Sequence, residues 1–251
     1  MHIIPSMLLL LTATLAGATV LPGPLQLAQS FSHIANELSH ISLDNCSLAN
    51  ASLPLNDTRS VLPDPSSPLT LKYIALGRGT QNYSCTSTNA SSRNTTTPKA
   101  TGAAATLFDA SCIASASMAL LHELPAVAGR TTLGSLAFMA EILSSTTNSS
   151  DLIIGEHYFN AAGEPFFDLK LSRDDTWMVA TKKTSVSAPA RAYTSKTESK
   201  DVAWLRLERK EGNGIKEVYR VMTFEGGAPS TCAGLNDTVI VEYAAEYWFY
   251  G

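Results

Sequence analysis

The sequence predicts a mainly β fold: a single antiparallel barrel or sandwich of about nine strands with a few short helices. Three observations predict it. Short runs rich in β-branched and aromatic residues recur between turn residues, two glycine-bearing hairpin signatures stand in the second half, and the run from Thr238 to Tyr250 alternates at period two. The strand runs are Leu69 to Leu76, Thr80 to Thr86, Ala103 to Asp109, Leu152 to Asn160, Pro165 to Leu171, Trp177 to Val186, Val202 to Glu208, Ile215 to Phe224 and Thr238 to Tyr250. One hairpin turns at Ala161-Ala162-Gly163-Glu164, the other at Glu211-Gly212-Asn213-Gly214. In the last strand Val239, Val241, Tyr243, Ala245, Tyr247 and Phe249 share one side, and Ile240, Glu242, Ala244, Glu246, Trp248 and Tyr250 the other, so one buried and one wetter face are expected.

Ahead of the strands, an apolar run from Ile3 to Leu15 reaches the small-residue triplet Ala16-Gly17-Ala18 and is stopped by Pro22, Gly23 and Pro24. That is the pattern of a signal peptide cleaved after Ala18, too short to span a bilayer. The organisation expected is a signal peptide at 1–18, a helical segment at 19–52 and a β-rich domain at 53–251, exported, extracellular and without a membrane anchor. Leu27, Phe31, Ile34, Leu38 and Ile41 step at four, three, four and three, which lines one helix side with apolar groups for packing on the domain. Leu53 to Pro68 is an extended connector interrupted by Pro63, Pro65 and Pro68. Met118 to Leu124 and Thr131 to Leu143 are expected to be helical, and Thr86 to Gly102 to be a mobile, glycosylated loop.

Cys46, Cys85, Cys112 and Cys232 are too far apart for zinc-type pairs, so two disulfides are expected on an oxidising route. Three connectivities are open. The preferred one joins Cys85 to Cys112, since both follow runs that pair as neighbours, and leaves Cys46 for Cys232. Sequons at Asn45, Asn50, Asn56, Asn82, Asn89, Asn94, Asn148 and Asn236 crowd towards a sugar-covered face, with Asn45 and Asn82 expected to stay bare.

The net charge of -4, with 18 Lys and Arg spread along the chain, offers no basic stripe, so no nucleic-acid partner is expected. Neither metal nor other cofactor is expected: His122-Glu123 is followed by Leu124-Pro125-Ala126 without the second histidine of a zinc helix, and no G-x-S-x-G elbow occurs. Glu156, Asp168, Asp109, Glu242 and Glu246 sit on or beside strands, where acids mostly point to solvent. A carboxylate pair for glycoside cleavage among those acids stays open, but the most suggestive cluster is His157 with Asp168, which counting across the first hairpin puts almost opposite each other for a His–carboxylate hydrogen bond, with no nucleophile identified beside them. Arg78, Gln81, Tyr83, Trp204, Tyr219 and Arg220 supply the aromatics and donors that a carbohydrate or small polar ligand needs.

The strings Gly77-Arg78-Gly79-Thr80-Gln81-Asn82-Tyr83-Ser84-Cys85, Leu107-Phe108-Asp109-Ala110-Ser111-Cys112, Gly155-Glu156-His157-Tyr158-Phe159, Pro165-Phe166-Phe167-Asp168, Ala188-Pro189-Ala190, Trp204-Leu205 and Val218-Tyr219-Arg220-Val221 occur here in order. By them the chain resembles fungal secreted members of the domain of unknown function 3455 family, from about Leu53 onwards. Relatives of that kind often carry the automatic label malate dehydrogenase, and the resemblance implies no activity or catalytic residues. The residues argue against the label: Gly77-Arg78-Gly79-Thr80-Gln81-Asn82 lacks the third glycine and runs into a strand, so no helix amino terminus awaits a pyrophosphate. The expected function is therefore a non-catalytic binding or interaction protein at a cell wall or host interface, with carbohydrate, a small ligand or a host protein as partner. The rival is an extracellular hydrolase using His157 and Asp168. Oligomeric state is left open.

Overall fold

Strands that alternate in pattern must bury one face, and here they do so by closing on themselves. In the computed structural model β1 (Leu71–Ser84), β2 (Lys99–Asp109), β3 (Ile153–Phe159), β4 (Pro165–Asp168), β5 (Trp177–Val186), β6 (Trp204–Asn213), β7 (Glu217–Glu225) and β8 (Thr238–Tyr250) form a closed barrel. Every neighbour is antiparallel, and β8 returns to β1 from Ser84↔Thr238 to Leu71↔Tyr250. The helices are α1 (Pro24–Leu38), α2 (Ala90–Arg93), α3 (Ser111–Ala116), α4 (Met118–Gly129) and α5 (Leu133–Thr147). The structure describes residues 24–43, 46–55, 62–86, 90–147, 152–171, 175–189 and 200–251; the expected signal peptide and the sequons at Asn45, Asn56, Asn89 and Asn148 lie outside them. No helix among the described residues is long and apolar enough to cross a membrane.

The strand count is eight instead of nine because Gly77-Arg78-Gly79 does not end a strand. Leu69 to Leu76 and Thr80 to Thr86 form one continuous β1. The glycines are there for room: a Cβ on Gly77 would stand 2.5 Å from the Tyr247 ring, and one on Gly79 would stand 1.9 Å from the Ala104 carbonyl oxygen.

Inside the barrel Phe167, Met178, Leu207, Val218, Tyr243, Tyr247 and Phe249 pack together. The opposite face of β8 is not the wetter one expected. From Tyr243 to Tyr250 both faces are buried, because α4, which follows β2, lies over the outer wall and brings Leu120, Leu121 and Leu124 against Ala244 and Trp248. The amino-terminal helix α1 adds Ile34 to that outer core, and the connector adds Leu62, which is fully buried.

The disulfides are Cys46–Cys112 and Cys85–Cys232, not the preferred pairing. The reason is strand direction. Antiparallel β1 and β2 put Cys85, after the end of β1, beside the start of β2, whereas Cys112 follows the end of β2 and sits by Ile74 at the other rim, where Ala110 N–H donates to Ile74 O. Cys232 precedes β8, whose start meets the end of β1. Each bridge thus staples one rim.

The described part of Thr86 to Gly102 is also tied down more than a mobile loop would be. Arg93, in α2, donates to the carbonyls of Cys85 (3.0 Å) and Leu235 (2.6 Å) and pairs with Asp237 (2.8 Å), and β2 already begins at Lys99.

Candidate functional site

Because side chains alternate, Gln81 and Tyr83 on β1, His157 on β3, Arg220 on β7 and Tyr243 and Tyr247 on β8 all point into the barrel. They gather in the half where β1 ends and β8 begins; the other half is filled by Leu169, Met178, Val218 and Phe249. Arg220 donates to the Ala203 carbonyl through Nε (3.3 Å) and Nη2 (2.9 Å), and through Nη1 to Gln81 Oε1 (3.3 Å). The hydroxyls of Tyr243 and Tyr247 are 2.7 Å apart, and Tyr83 donates to the Gly226 carbonyl at 2.6 Å. Burial raises the pKa of all three phenols, so each is neutral at ordinary pH.

His157 stacks on Phe167 with ring centroids 4.3 Å apart, and its Nδ1 lies 2.9 Å from the Phe166 carbonyl. A carbonyl only accepts, so Nδ1 carries the proton and Nε2 the lone pair. Burial, against the Phe166 bond and aided by the nearby Arg220 charge, pulls the imidazole pKa from 6.5 down to about 4. At the same rim Asp201 Oδ1 accepts from Glu225 N–H (2.7 Å), yet burial and the Glu225 charge raise its carboxyl to about 7.

The structure does not bring His157 and Asp168 together. The ladder pairs His157 with Phe167 and Glu156 with Asp168, one residue off the expected opposition, which sends the two side chains to opposite faces. Asp168 instead accepts from Lys170 N–H at 3.1 Å. Of the expected ligand residues, Gln81, Tyr83 and Arg220 meet inside the barrel, while Arg78, Trp204 and Tyr219 lie on its outer face. Arg78 holds the carboxyl end of α4, donating to the Ala128 (2.9 Å) and Thr131 (3.1 Å) carbonyls and pairing with Glu242. Tyr219 donates to Pro63 O at 2.9 Å, and Trp204 is fully buried.

Glu246 and His122 form a pair that sequence reasoning missed. Glu246 is fully buried on the outer wall, 2.7 Å from His122 Nδ1 and accepting from Trp248 Nε1 at 2.9 Å. In the sequence His122 stands out only as half of an incomplete zinc motif, and the signal overlooked is an acid inside the aromatic run of β8. No group of three His, Cys, Asp or Glu fit to hold a metal occurs among the described residues.

Outside the barrel a cavity of about 570 Å³ lies between parts of α1, α4 and α5 and the wall. α1 contributes Phe31, Ile34 and Leu38, the wall Leu76 and Phe108, α4 Leu124 and Val127, and α5 Leu136, Met139, Ala140 and Leu143. The polar groups around it are engaged elsewhere: Asp109 accepts from Ser111 N–H, Thr131 donates to Val127 O, Thr132 donates to Ser135, and Arg130 donates to Ala126 O and lies over the Phe224 ring. The cavity therefore presents mostly hydrocarbon. On its other side α5 also shows apolar groups, Phe138 at 66 % exposure and Ile142 at 46 %.

A model of a family described as protein of unknown function (DUF3455) matches residues 65–251. The chain belongs to that family. Comparison with curated proteins and with solved structures returns no match. The region shared with DUF3455 holds the whole barrel and α2 to α5, whereas α1 precedes it. The interior cluster thus lies wholly within the DUF3455 region, and the cavity is closed by a helix from outside it.

Proposed function

We propose that this DUF3455 protein is an exported, N-glycosylated binding protein whose ligand is an apolar small molecule held between α1, α4, α5 and the outer barrel wall. The cavity carries the reading. Its volume of about 570 Å³ lies within the roughly 300–1,000 Å³ of small-molecule sites. Water there finds few free polar partners, so an apolar guest gains about 25 cal/mol for each Å² it withdraws from water. Export is supported by the apolar leader and by two disulfides, and glycosylation by exposed sequons at Asn50, Asn94 and Asn236.

One experiment examines all parts: native mass spectrometry of the product secreted from a eukaryotic host, followed by titration with a fluorescent long-chain fatty acid. The expected product begins after Ala18, carries N-glycans and binds one probe per chain. Ala140→Trp, which fills the cavity from α5, weakens binding by roughly tenfold or more, the equivalent of about 1.4 kcal/mol. Unsaturable binding, or equal affinity in Ala140→Trp, sinks the reading.

A further inference from the structure

We propose that the barrel interior is a second, separate site, for a small anion of the halide or formate class, held by Arg220, the Gln81 amide and the Tyr243–Tyr247 hydroxyl pair. The molecule's own arginines make the case. Among the described residues three guanidinium groups are buried, Arg78, Arg206 and Arg220. Arg78 pairs with Glu242, and Arg206 pairs with Glu217 at 2.7 Å and Glu208 at 2.8 Å. Arg220, 6 % exposed, has no carboxylate within salt-bridge reach among the described residues. The titratable groups that feel its charge inside the barrel are Tyr83, His157, Tyr243 and Tyr247, and none of them is a carboxylic acid. A buried charge without a partner is costly, and no described residue supplies a counter-charge here.

The acceptors that Arg220 and its neighbours meet are all uncharged: the Ala203 carbonyl, Gln81 Oε1 and the phenol oxygens of Tyr243 and Tyr247. Gln81 is 7 % exposed; its Oε1 accepts from Arg220, and its Nε2, with the uncharged Tyr243 hydroxyl nearby, makes no hydrogen bond of ordinary geometry. A buried amide donor left unpaired is rare in native proteins, and an anion beside Arg220 would satisfy this one. Tyr243 and Tyr247 share one hydrogen bond between two hydroxyls, so one O–H is left to donate outward. A guanidinium, an amide N–H and a phenol O–H meeting in a low-dielectric interior suit an anion and reject a cation. The rings of Phe167, Tyr243 and Tyr247 and the side chain of Ala105 fill the barrel around them, which restricts the guest to one of few atoms.

Substitution of Gln81 by glutamate supplies the missing negative charge from within and provides the test. Thermal unfolding is followed at constant ionic strength while gluconate is replaced by formate or bromide. The wild-type midpoint is expected to rise saturably, on the order of 5 °C, and Gln81→Glu to be indifferent to the exchange. No response of the wild type to either anion, or an equal response in Gln81→Glu, overturns the proposal. Bromide-soaked wild-type crystals give an answer that does not depend on the variant folding. Anomalous scattering within hydrogen-bond reach of Arg220 Nη1 and Gln81 Nε2 supports the site, and its absence there overturns it.

Discussion

Replacing Cys85 and Cys232 together by serine is expected to lower the unfolding free energy by about 5 kcal/mol, the chain-entropy value for so long a loop. The bridge closes a sequence separation of 147 residues at the seam where the barrel closes. It fixes the end of β1 against the start of β8, next to the backbone bond from Cys85 N–H to Asp237 O at 2.8 Å. Both sulfur-bearing residues are fully buried, so their replacement is not offset by new contact with water. A domain of this kind is stable by only about 5–15 kcal/mol, and the variant therefore sits near or below the folding threshold. Removing Cys46–Cys112, with a separation of 66, is expected to cost slightly less, about 4 kcal/mol. Urea unfolding of the two double-serine proteins measures both. A loss under 1 kcal/mol on removing Cys85–Cys232 contradicts the role given to that seam.

His157 is expected to make stability fall as the solution is acidified. Its imidazole titrates near 6.5 in the unfolded chain and near 4 in the barrel. Above pH 6.5 neither state holds the proton, and its contribution is complete. Between 6.5 and about 4 the unfolded chain takes a proton that the folded chain refuses, so stability drops by up to about 3 kcal/mol and then levels off. Asp201 works in the opposite sense. Its carboxyl is kept protonated to about 7 instead of 3.8, so it weakens the fold as pH rises through that interval. Comparing wild type with His157→Phe separates the two, because phenylalanine keeps the stack on Phe167 and removes only the proton site and the bond to Phe166. The variant is expected to lose about 1 kcal/mol at pH 7 and to lack the acid-side fall. Parallel stability curves for the two proteins between pH 7 and 4 contradict a buried neutral His157.

Much of the barrel was legible because its strands obey period two and its hairpins carry glycine at the turns: Gly163 and Gly214 both have positive φ. The strand count failed at Gly77 and Gly79, where glycine answers to a neighbouring ring and backbone that only the closed fold brings near. The disulfide pairing failed because neighbouring strands were taken to place their ends together, which antiparallel order forbids. Of the site, Gln81, Tyr83, His157 and Arg220 stood out as chemistry-bearing residues, but His157 was matched with the wrong partner by a shift of one position. Tyr243 and Tyr247 were visible only as one face of β8. The cavity had no signature at all. It arises from a gap between α1, α4, α5 and the wall, and the residues that line it look individually like ordinary core.

The claim that an apolar guest occupies that gap is tested most directly by crystals grown with an iodinated long-chain fatty acid. The iodine is expected to scatter anomalously from between Ile34, Leu124 and Leu143, with the chain running under α5. Iodine found only at other surfaces, at concentrations that saturate binding in solution, contradicts the account.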